Sequence, residues 1–554
     1  MSNKTYIWHK KYEPGVPYSL EYEEVPLYTI LDNSAQKYPN NPAITFYNWQ
    51  ITYSQLFNKV ESLKTALYEL GIRKGDRVAL MLPNTPHYII SYFAILKLGA
   101  IVVQINPLYS KSELEFILND SQAKALITLD LFLDKVLSIK DKVSTKIYII
   151  GRVKEFLNFP LNTLYSIKTL FSKIPPIPKE FEIFSSLLYT KPKIIDIKIE
   201  PKEDVAVLQY TGGTTGRPKG AMLTHFNLYA NVKQLLAWTT NVEHGNERAL
   251  IVIPLFHVYA MTVGMNYTIA LGGNIVLLPK FNTKEVIETL QKHKITAFPG
   301  VPAIYNAINN FKGVEKYNLS SIKLCLSGAA PLPVEVKNRF EKLTGAKLIE
   351  GYGLSEASPV THANPIYGEN REGSIGLPLP DTEAKIVDIN TNEELPPGKE
   401  GELIIRGPQV MKGYWNREEE TKETIKDGWL YTGDIAKMDE DGYFYIVDRK
   451  KDMIIVHGFN VYPRNIEEVL FKHPKIKEAA VIGVRRPDIA DEIVKAYVVV
   501  KEGETLTKDE LLSYLKEHLA YYEVPSEIEF TNEIPKSLIG KPLRRILREK
   551  EENK

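Results

Sequence analysis

A chain of 554 residues with a single cysteine cannot close an intramolecular disulfide. Cys325 stands in the apolar run Ile322-Lys-Leu-Cys-Leu326, which predicts a buried strand residue and not a nucleophile. Charge of one sign is also missing. Sixty-nine Lys and Arg face 68 Asp and Glu, a net charge of +1, so no global field favours nucleic acid as a partner. The ten histidines are scattered, without the HExxH or CxxC spacing of a metal site. Long hydrophobic runs are absent too. The longest, Tyr88 to Ile105, contains Lys97, Gly99 and Gln104 and lies between Pro86 and Pro107. It predicts a helix ending near Leu98 and then a short buried strand, not a membrane span. The first residues, Met-Ser-Asn-Lys-Thr-Tyr-Ile-Trp-His-Lys, have no apolar core of a secretory signal, so a cytoplasmic location is expected. The apolar fraction of 44% and charged fraction of 25% are those of an ordinary globular protein, long enough for several domains.

What is present centres on Tyr210-Thr-Gly-Gly-Thr-Thr-Gly-Arg-Pro-Lys219-Gly-Ala-Met-Leu-Thr-His225, entered from the apolar run Val205 to Leu208. Glycines let backbone N–H groups approach phosphate oxygens, threonine hydroxyls add donors and lysine adds charge. The segment is not a Walker A loop, which needs Gly-Lys followed by Ser or Thr. Alone, it would also read as a flexible surface loop. Further motifs follow: Tyr352-Gly-Leu-Ser-Glu356, read as a short aromatic-glycine turn with a carboxylate; Asp427-Gly-Trp-Leu-Tyr-Thr-Gly-Asp434; the charged cluster Asp448-Arg-Lys-Lys-Asp452; Gly458-Phe-Asn-Val-Tyr-Pro463; and the basic loop Pro535-Lys-Ser-Leu-Ile-Gly-Lys541-Pro-Leu-Arg-Arg545.

In this order, from about residue 25 to about 548, these motifs resemble the adenylate-forming superfamily of acyl-CoA synthetases, peptide adenylation domains and beetle luciferases. The stretch 427–451 resembles the signature of fatty acyl-CoA synthetases, and 448–463 looks like their bacterial long-chain branch. The resemblance implies that a carboxylate is joined to the α-phosphate of ATP, and that the thiol of coenzyme A then displaces AMP. Two anions meet in the first step, so positive charge and oriented donors are the main requirement.

The resemblance also implies roles. Thr211, Gly212, Gly213, Thr214, Thr215, Gly216 and Lys219 would hold the β- and γ-phosphates. Glu356, with Thr215, would hold Mg²⁺. Tyr352, between Gly351 and Gly353-Leu354-Ser355, would stack on adenine, with Gly328 and Ala329 on its other face. Asp434 and Arg449 would bind the ribose. His257 would act beside the acyl carboxylate, with Val258, Tyr259, Met261 and Thr262 lining the acyl pocket. Lys541 would reach the α-phosphate, Lys451 would be the hinge, and Gly458 and Phe459 would line the CoA path. Met261 stands where some long-chain relatives carry Trp, and Ile455 where luciferases carry Lys. The first departure offers no Trp gate, and the second argues against luciferase chemistry.

The expected fold is α/β. Helix-period and strand-like segments alternate through the first two-thirds, which argues for layered sheets with parallel strands. A β-rich, barrel-like stretch follows at about 373–446, completing a large domain over 1–447. A hinge is expected at 448–452 and a small mobile α+β domain at 453–554. In 155–181, Leu161, Leu164, Ile167, Phe171 and Ile174 follow helical spacing among Lys154, Lys168, Lys173 and Lys179. A helix packed on its own domain is favoured there over one resting on a membrane. The expected activity is a medium- or long-chain fatty acid–CoA ligase using fatty acid, ATP and CoA, with Mg²⁺. The alternatives are an aryl- or short-chain-CoA ligase, or a non-catalytic nucleotide- or acyl-CoA-binding protein. An adenylation module of peptide assembly is disfavoured, because no carrier domain follows Lys541. A homodimer is left open.

Overall fold

Helix Tyr53–Glu69 begins at a capping box. Thr52 Oγ1 accepts the N–H of Gln55, and the Gln55 side chain accepts that of Thr52, which satisfies two orphan donors at the helix start. It stops before Gly71, whose φ of +92° suits only glycine at no cost. Helix Pro86–Lys97 starts on proline, whose missing N–H would be unpaired there in any case. All its residues are buried, and strand Ile101–Gln104 follows it. The apolar stretch from 88 to 105 is therefore interior helix and strand. No helix among the described residues is long and apolar enough to cross a membrane.

The structure, a computed structural model, describes residues 5–170, 174–211, 218–456, 459–485, 492–536 and 542–552. The chain divides into two compact units, Met1–Glu383 with Arg406–Gly428, and Ala384–Ile405 with Trp429–Lys554.

Among the described residues, three sheets lie mainly in the first unit. The largest has eight strands. Its centre places Val205–Thr211, Ile101–Gln104, Arg77–Met81, Ala125–Leu129 and Ile147–Gly151 side by side and parallel. These strands are almost wholly buried, as expected of parallel strands covered on both faces. A second sheet pairs Arg248–Ile251 with Asn274–Leu277, and a third pairs Leu324–Ser327 with Lys347–Gly353, both in parallel. Ala297 bridges Ala249 on one side and Leu324 on the other. Cys325 is fully buried on its strand, as its apolar neighbours predict, and burial pushes its thiol pKa well up.

The second unit begins with an antiparallel meander, Gly401–Arg406 against Trp429–Met438 against Phe444–Arg449. Beyond it, Ile476–Arg485 runs antiparallel to Glu492–Val500, which runs parallel to Glu527–Phe530. Helices Pro463–Lys472 and Lys508–His518 contribute Ile466, Leu470, Leu511 and Leu515 to the core of this sheet. The α/β architecture with a small α+β C-terminal domain is as expected.

Helix Leu161–Leu170 differs from the favoured expectation. Leu164 and Ile167, from its apolar stripe, are 57% and 49% exposed, and Phe159 just before it is 79% exposed. Leu164 and Ile167 therefore do not face a core, while Leu161 and Ile174 are partly buried. Periodicity reports that a helix has two faces, not what covers the apolar one.

Candidate active site

The glycine- and threonine-rich segment joins two antiparallel strands of the large sheet. Val205–Thr211 pairs with Lys219–Thr224, and Thr211 lies opposite Lys219 at the open end. Gly212, Gly213, Thr214, Thr215 and Gly216 fall outside the described residues, as do Gly458 and Lys541. Lys219 is placed with care. Its ammonium lies 5.5 Å from the centre of the Tyr414 ring, within cation–π range. The Tyr414 hydroxyl donates to Glu356 Oε1 at 2.8 Å. Burial, reinforced by the Glu356 charge, raises the Tyr414 phenol pKa, so it remains a donor. Tyr414 thus connects two residues singled out in the sequence, the lysine at the base of the loop and the carboxylate of the downstream motif.

Glu356 lies in the 3₁₀ turn Ser355–Ala357, after strand Lys347–Gly353. The sequence reading made Tyr352 to Glu356 one turn. Tyr352 is instead in the strand, in register with His362, because Gly351 to Gly353 continue the pairing with Val360–Ala363. The chain can pass so closely only without a side chain at 353, where a Cβ would lie 2.1 Å from the Pro359 carbonyl oxygen. The turn begins at Leu354, whose N–H bonds that same oxygen at 3.1 Å. The Tyr352 ring meets His362 at 5.9 Å between centroids. Just past the neighbouring strand Leu324–Ser327, Ala329 has φ +68°, a costly conformation for a residue other than glycine. A Cβ on Gly328 would come within 3.3 Å of the Tyr259 ring.

Residues 255–262 are fastened from several directions. Asn84 Oδ1 accepts from the Leu255 N–H at 2.8 Å, and Tyr88 donates to the Leu255 carbonyl at 2.8 Å. Gln209 donates to the Phe256 carbonyl at 3.2 Å, and Gln104 Nε2 lies 3.3 Å from Met261 Sδ. Tyr259 donates to the Leu326 carbonyl, and Thr262 donates to the Ser358 carbonyl at 2.7 Å. Val258, Met261 and Thr262 are buried. Desolvation pushes the His257 pKa down to about 4, so its imidazole is neutral near pH 7. Its Nδ1 accepts the Tyr259 N–H at 3.3 Å.

In the second unit Asp434 and Arg449 stand in register on adjacent strands. Their carboxylate and guanidinium meet at 2.7 Å, and Asp434 is 2% exposed. Phe459 is partly exposed and stacks on Tyr522, with centroids 4.4 Å apart. Lys451 is exposed beside buried Asp452.

The sequence reading missed Tyr414, Asn84 and Gln209. Asn84 carried a signal, a polar residue between Pro83 and Pro86 at the end of an apolar strand. Tyr414, in Lys412-Gly-Tyr-Trp415, carried none beyond its aromatic neighbour.

The AMP-binding enzyme family matches residues 31–415, and the AMP-binding enzyme C-terminal domain matches residues 465–541. The chain is 48% identical over 549 residues to a long-chain-fatty-acid–CoA ligase of Bacillus subtilis (strain 168), covering 98% of each. It is 41% identical over 562 residues to a long-chain-fatty-acid–CoA ligase of Salmonella typhimurium, covering 99% of each. The crystal structure of ATP-bound MatB from Rhodopseudomonas palustris superposes with a TM-score of 0.84 at 28% identity, covering 95% of this chain and 99% of that one. With family matches over both of these ranges and such full-length relatives, the chain belongs to the AMP-binding enzymes, the adenylate-forming superfamily.

Proposed function

We infer that the chain is a long-chain fatty acid–CoA ligase, joining a fatty acid to CoA through an acyl-adenylate and releasing AMP and pyrophosphate. The full-length 48% identity to a ligase of that name carries the reading. In the first unit we assign the β- and γ-phosphates to the loop between Thr211 and Lys219, and the adenine to Tyr352 with Gly328 and Ala329. The join Lys219–Tyr414–Glu356 supports this assignment, because it holds the charge of the loop beside the turn that follows Tyr352. The acyl group is assigned to Val258, Tyr259, Met261 and Thr262. A neutral His257 suits that place, since it can meet a carboxylate-bearing chain without adding a buried cation. In the second unit we assign the ribose to Asp434, whose ionised oxygens accept from hydroxyls, and to Arg449, which already orients it. Lys541 is assigned to the α-phosphate, Lys451 to the hinge, and Gly458 and Phe459 to the CoA path.

Magnesium fits the residues present. No group of three or more His, Cys, Asp or Glu able to hold a metal occurs among the described residues. Glu356 has one oxygen engaged by Tyr414 and a second one to offer. A single carboxylate completed by water and phosphate oxygens is how Mg²⁺ is commonly held. Glu356, with Thr215, would hold it, and the ion would supply charge neutralisation on the triphosphate.

A pyrophosphate-release screen over carboxylates from acetate to oleate, with several aryl acids, tests the reading. Release with long-chain acids, dependent on ATP, supports it. A confined preference for benzoate- or coumarate-like acids overturns it in favour of an aryl-CoA ligase.

The exposed Phe159, Leu164 and Ile167, with Lys154 and Lys168 beside them, favour a second, additional reading, peripheral contact with a membrane surface. Replacing Phe159, Leu164 and Ile167 with serine should weaken binding to anionic liposomes while leaving turnover of soluble octanoate intact. Unchanged liposome binding would remove it.

A further inference from the structure

The hinge assigned to Lys451 is flanked by two aspartates, Asp448 before it and Asp452 after it. Both are buried, and both face one arginine. Arg544 opens the helix Arg544–Glu552 near the end of the chain. Its Nη1 lies 3.6 Å from Asp448 Oδ1 and 3.0 Å from Asp452 Oδ2. Its Nε and Nη2 meet the two oxygens of Glu467 at 3.2 and 2.7 Å. Arg548, one turn along the helix, adds a 3.0 Å bond to the other oxygen of Asp452.

These arms are unequal. Glu467 and Arg544 form a two-point, charge-assisted pair, the strong kind, and Glu467 also accepts the Val481 N–H at 2.8 Å. Asp452 is held by two guanidiniums, and the nearby positive charges lower its pKa against the effect of burial. All these partners follow the hinge, so they travel together if the small domain turns. Asp448 precedes the hinge. At 3.6 Å its link to Arg544 is an ion pair beyond hydrogen-bond length, and burial raises its pKa. Other ties across the hinge are the Met453 N–H, which donates to the Arg449 carbonyl at 3.1 Å, and two from Arg464. Its backbone N–H donates to Asp448 Oδ2 at 2.7 Å, and its Nη1 donates to the Ile446 carbonyl at 2.9 Å.

We propose that Arg544 is a positioning residue of the catalytic cycle, latching the segment before the hinge, through Asp448, to the small C-terminal domain, which it grips through Glu467 and Asp452. Rotation about Lys451 breaks the weak Asp448 arm and keeps the strong ones. The latch therefore sets how long the protein stays in this arrangement relative to the one that follows rotation. The proposal rests on the two-step ligase reading and deepens it by naming what biases the hinge.

Removing Arg544 would take a guanidinium from three buried carboxylates at once and weaken the domain as a whole, so the test uses the arms separately. Asp448→Asn keeps the size and removes the charge that crosses the hinge, together with one of the two bonds its oxygens accept from the Arg449 and Arg464 N–H groups at 2.7 Å. Asp452→Asn weakens contacts made wholly within the moving domain. Two rates are measured, pyrophosphate release with fatty acid and ATP, and acyl-CoA formation from supplied acyl-adenylate. Trypsin cleavage after Lys450 and Lys451 and the melting temperature are recorded alongside. Asp448→Asn is expected to change the ratio of the two rates at least about fivefold, the effect of losing about 1 kcal/mol of buried contact across the hinge. It should speed hinge cleavage by a similar factor. Asp452→Asn is expected to lower the melting temperature and leave the ratio unchanged. Equal scaling of both rates in Asp448→Asn, or a shift in the ratio as large in Asp452→Asn, overturns the latch. If the unsubstituted protein forms no acyl-adenylate from any fatty acid while its hinge cleavage still responds to Asp448→Asn, the ligase reading fails and the latch stands.

Discussion

Thr262 is the contact through which the proposed acyl pocket touches the proposed nucleotide turn, and it can be cut without changing shape. Its side chain is fully buried, and its hydroxyl donates to the Ser358 carbonyl at 2.7 Å. Ser358 closes the turn that carries Glu356, with φ +74°, a conformation held only by its surroundings. Thr262→Val keeps the volume and removes the donor. A buried carbonyl that loses its partner costs roughly 1–3 kcal/mol. If about half of that appears as a misplaced Glu356 in the adenylation transition state, kcat/KM for pyrophosphate release falls about 2- to 13-fold. Thr262→Ser is the control. It keeps the hydroxyl and loses one methyl group, so it should lower stability by about 1 kcal/mol and leave kcat/KM near that of the unsubstituted protein. The assay is pyrophosphate release at varied fatty acid and ATP, with melting temperatures measured in parallel. Unchanged kcat/KM in Thr262→Val, or a larger loss in Thr262→Ser, would refute the claim that this hydrogen bond positions the turn.

Gly353→Ala places a methyl group 2.1 Å from a backbone oxygen; the strand must shift, so adenylation should fall at least tenfold with a lower melting temperature, and normal values for both would contradict the close approach. Affinity for saturated acids should rise with chain length by up to about fourfold per methylene, from about 0.8 kcal/mol each, until the pocket is full; KM values flat from octanoate to palmitate would count against a buried acyl chain. Lys541→Ala should slow adenylation by about 10²–10³ and spare thioester formation from supplied acyl-adenylate, while Lys451→Pro, which fixes φ near −65°, should do the reverse; equal damage to both steps by either variant would refute the division of labour. Burial lowers the pKa of His257 and His225 to about 4 and of His362 to about 3. The unfolded chain, with these groups near 6.5, binds more protons below that pH. Their stabilising effect is therefore complete above about pH 6.5 and is lost as pH falls toward 4, so His257→Gln should flatten the dependence of melting temperature on pH between 4 and 6.5.

How far the sequence could be read depended on the range of the interaction involved. Segments whose conformation is set locally were legible. The apolar run at 205–208 became a central strand, Gly71 closed a helix, and the run from 88 to 105 divided near Leu98 into helix and strand, because capping, proline and apolar spacing act over a few residues. The Tyr352 motif was misjudged for the opposite reason. Glycines at 351 and 353 signal a turn locally, but here they permit close antiparallel pairing with 360–363, and only the approach of Pro359 distinguishes the two uses. The helix at 161–170 is similar, since spacing alone does not distinguish the exposed Leu164 and Ile167 from the partly buried Leu161 and Ile174. Asp434 and Arg449 were both placed on the ribose by resemblance, but their direct pairing depends on the register between two strands. Tyr414 is the clearest limit. Its role comes from standing between Lys219 and Glu356, far apart in the chain, and nothing in Gly-Tyr-Trp marks it. A candidate site whose parts lie on separate strands and turns can be listed from motifs, but the side chains that hold those parts to one another appear only when the fold brings them together.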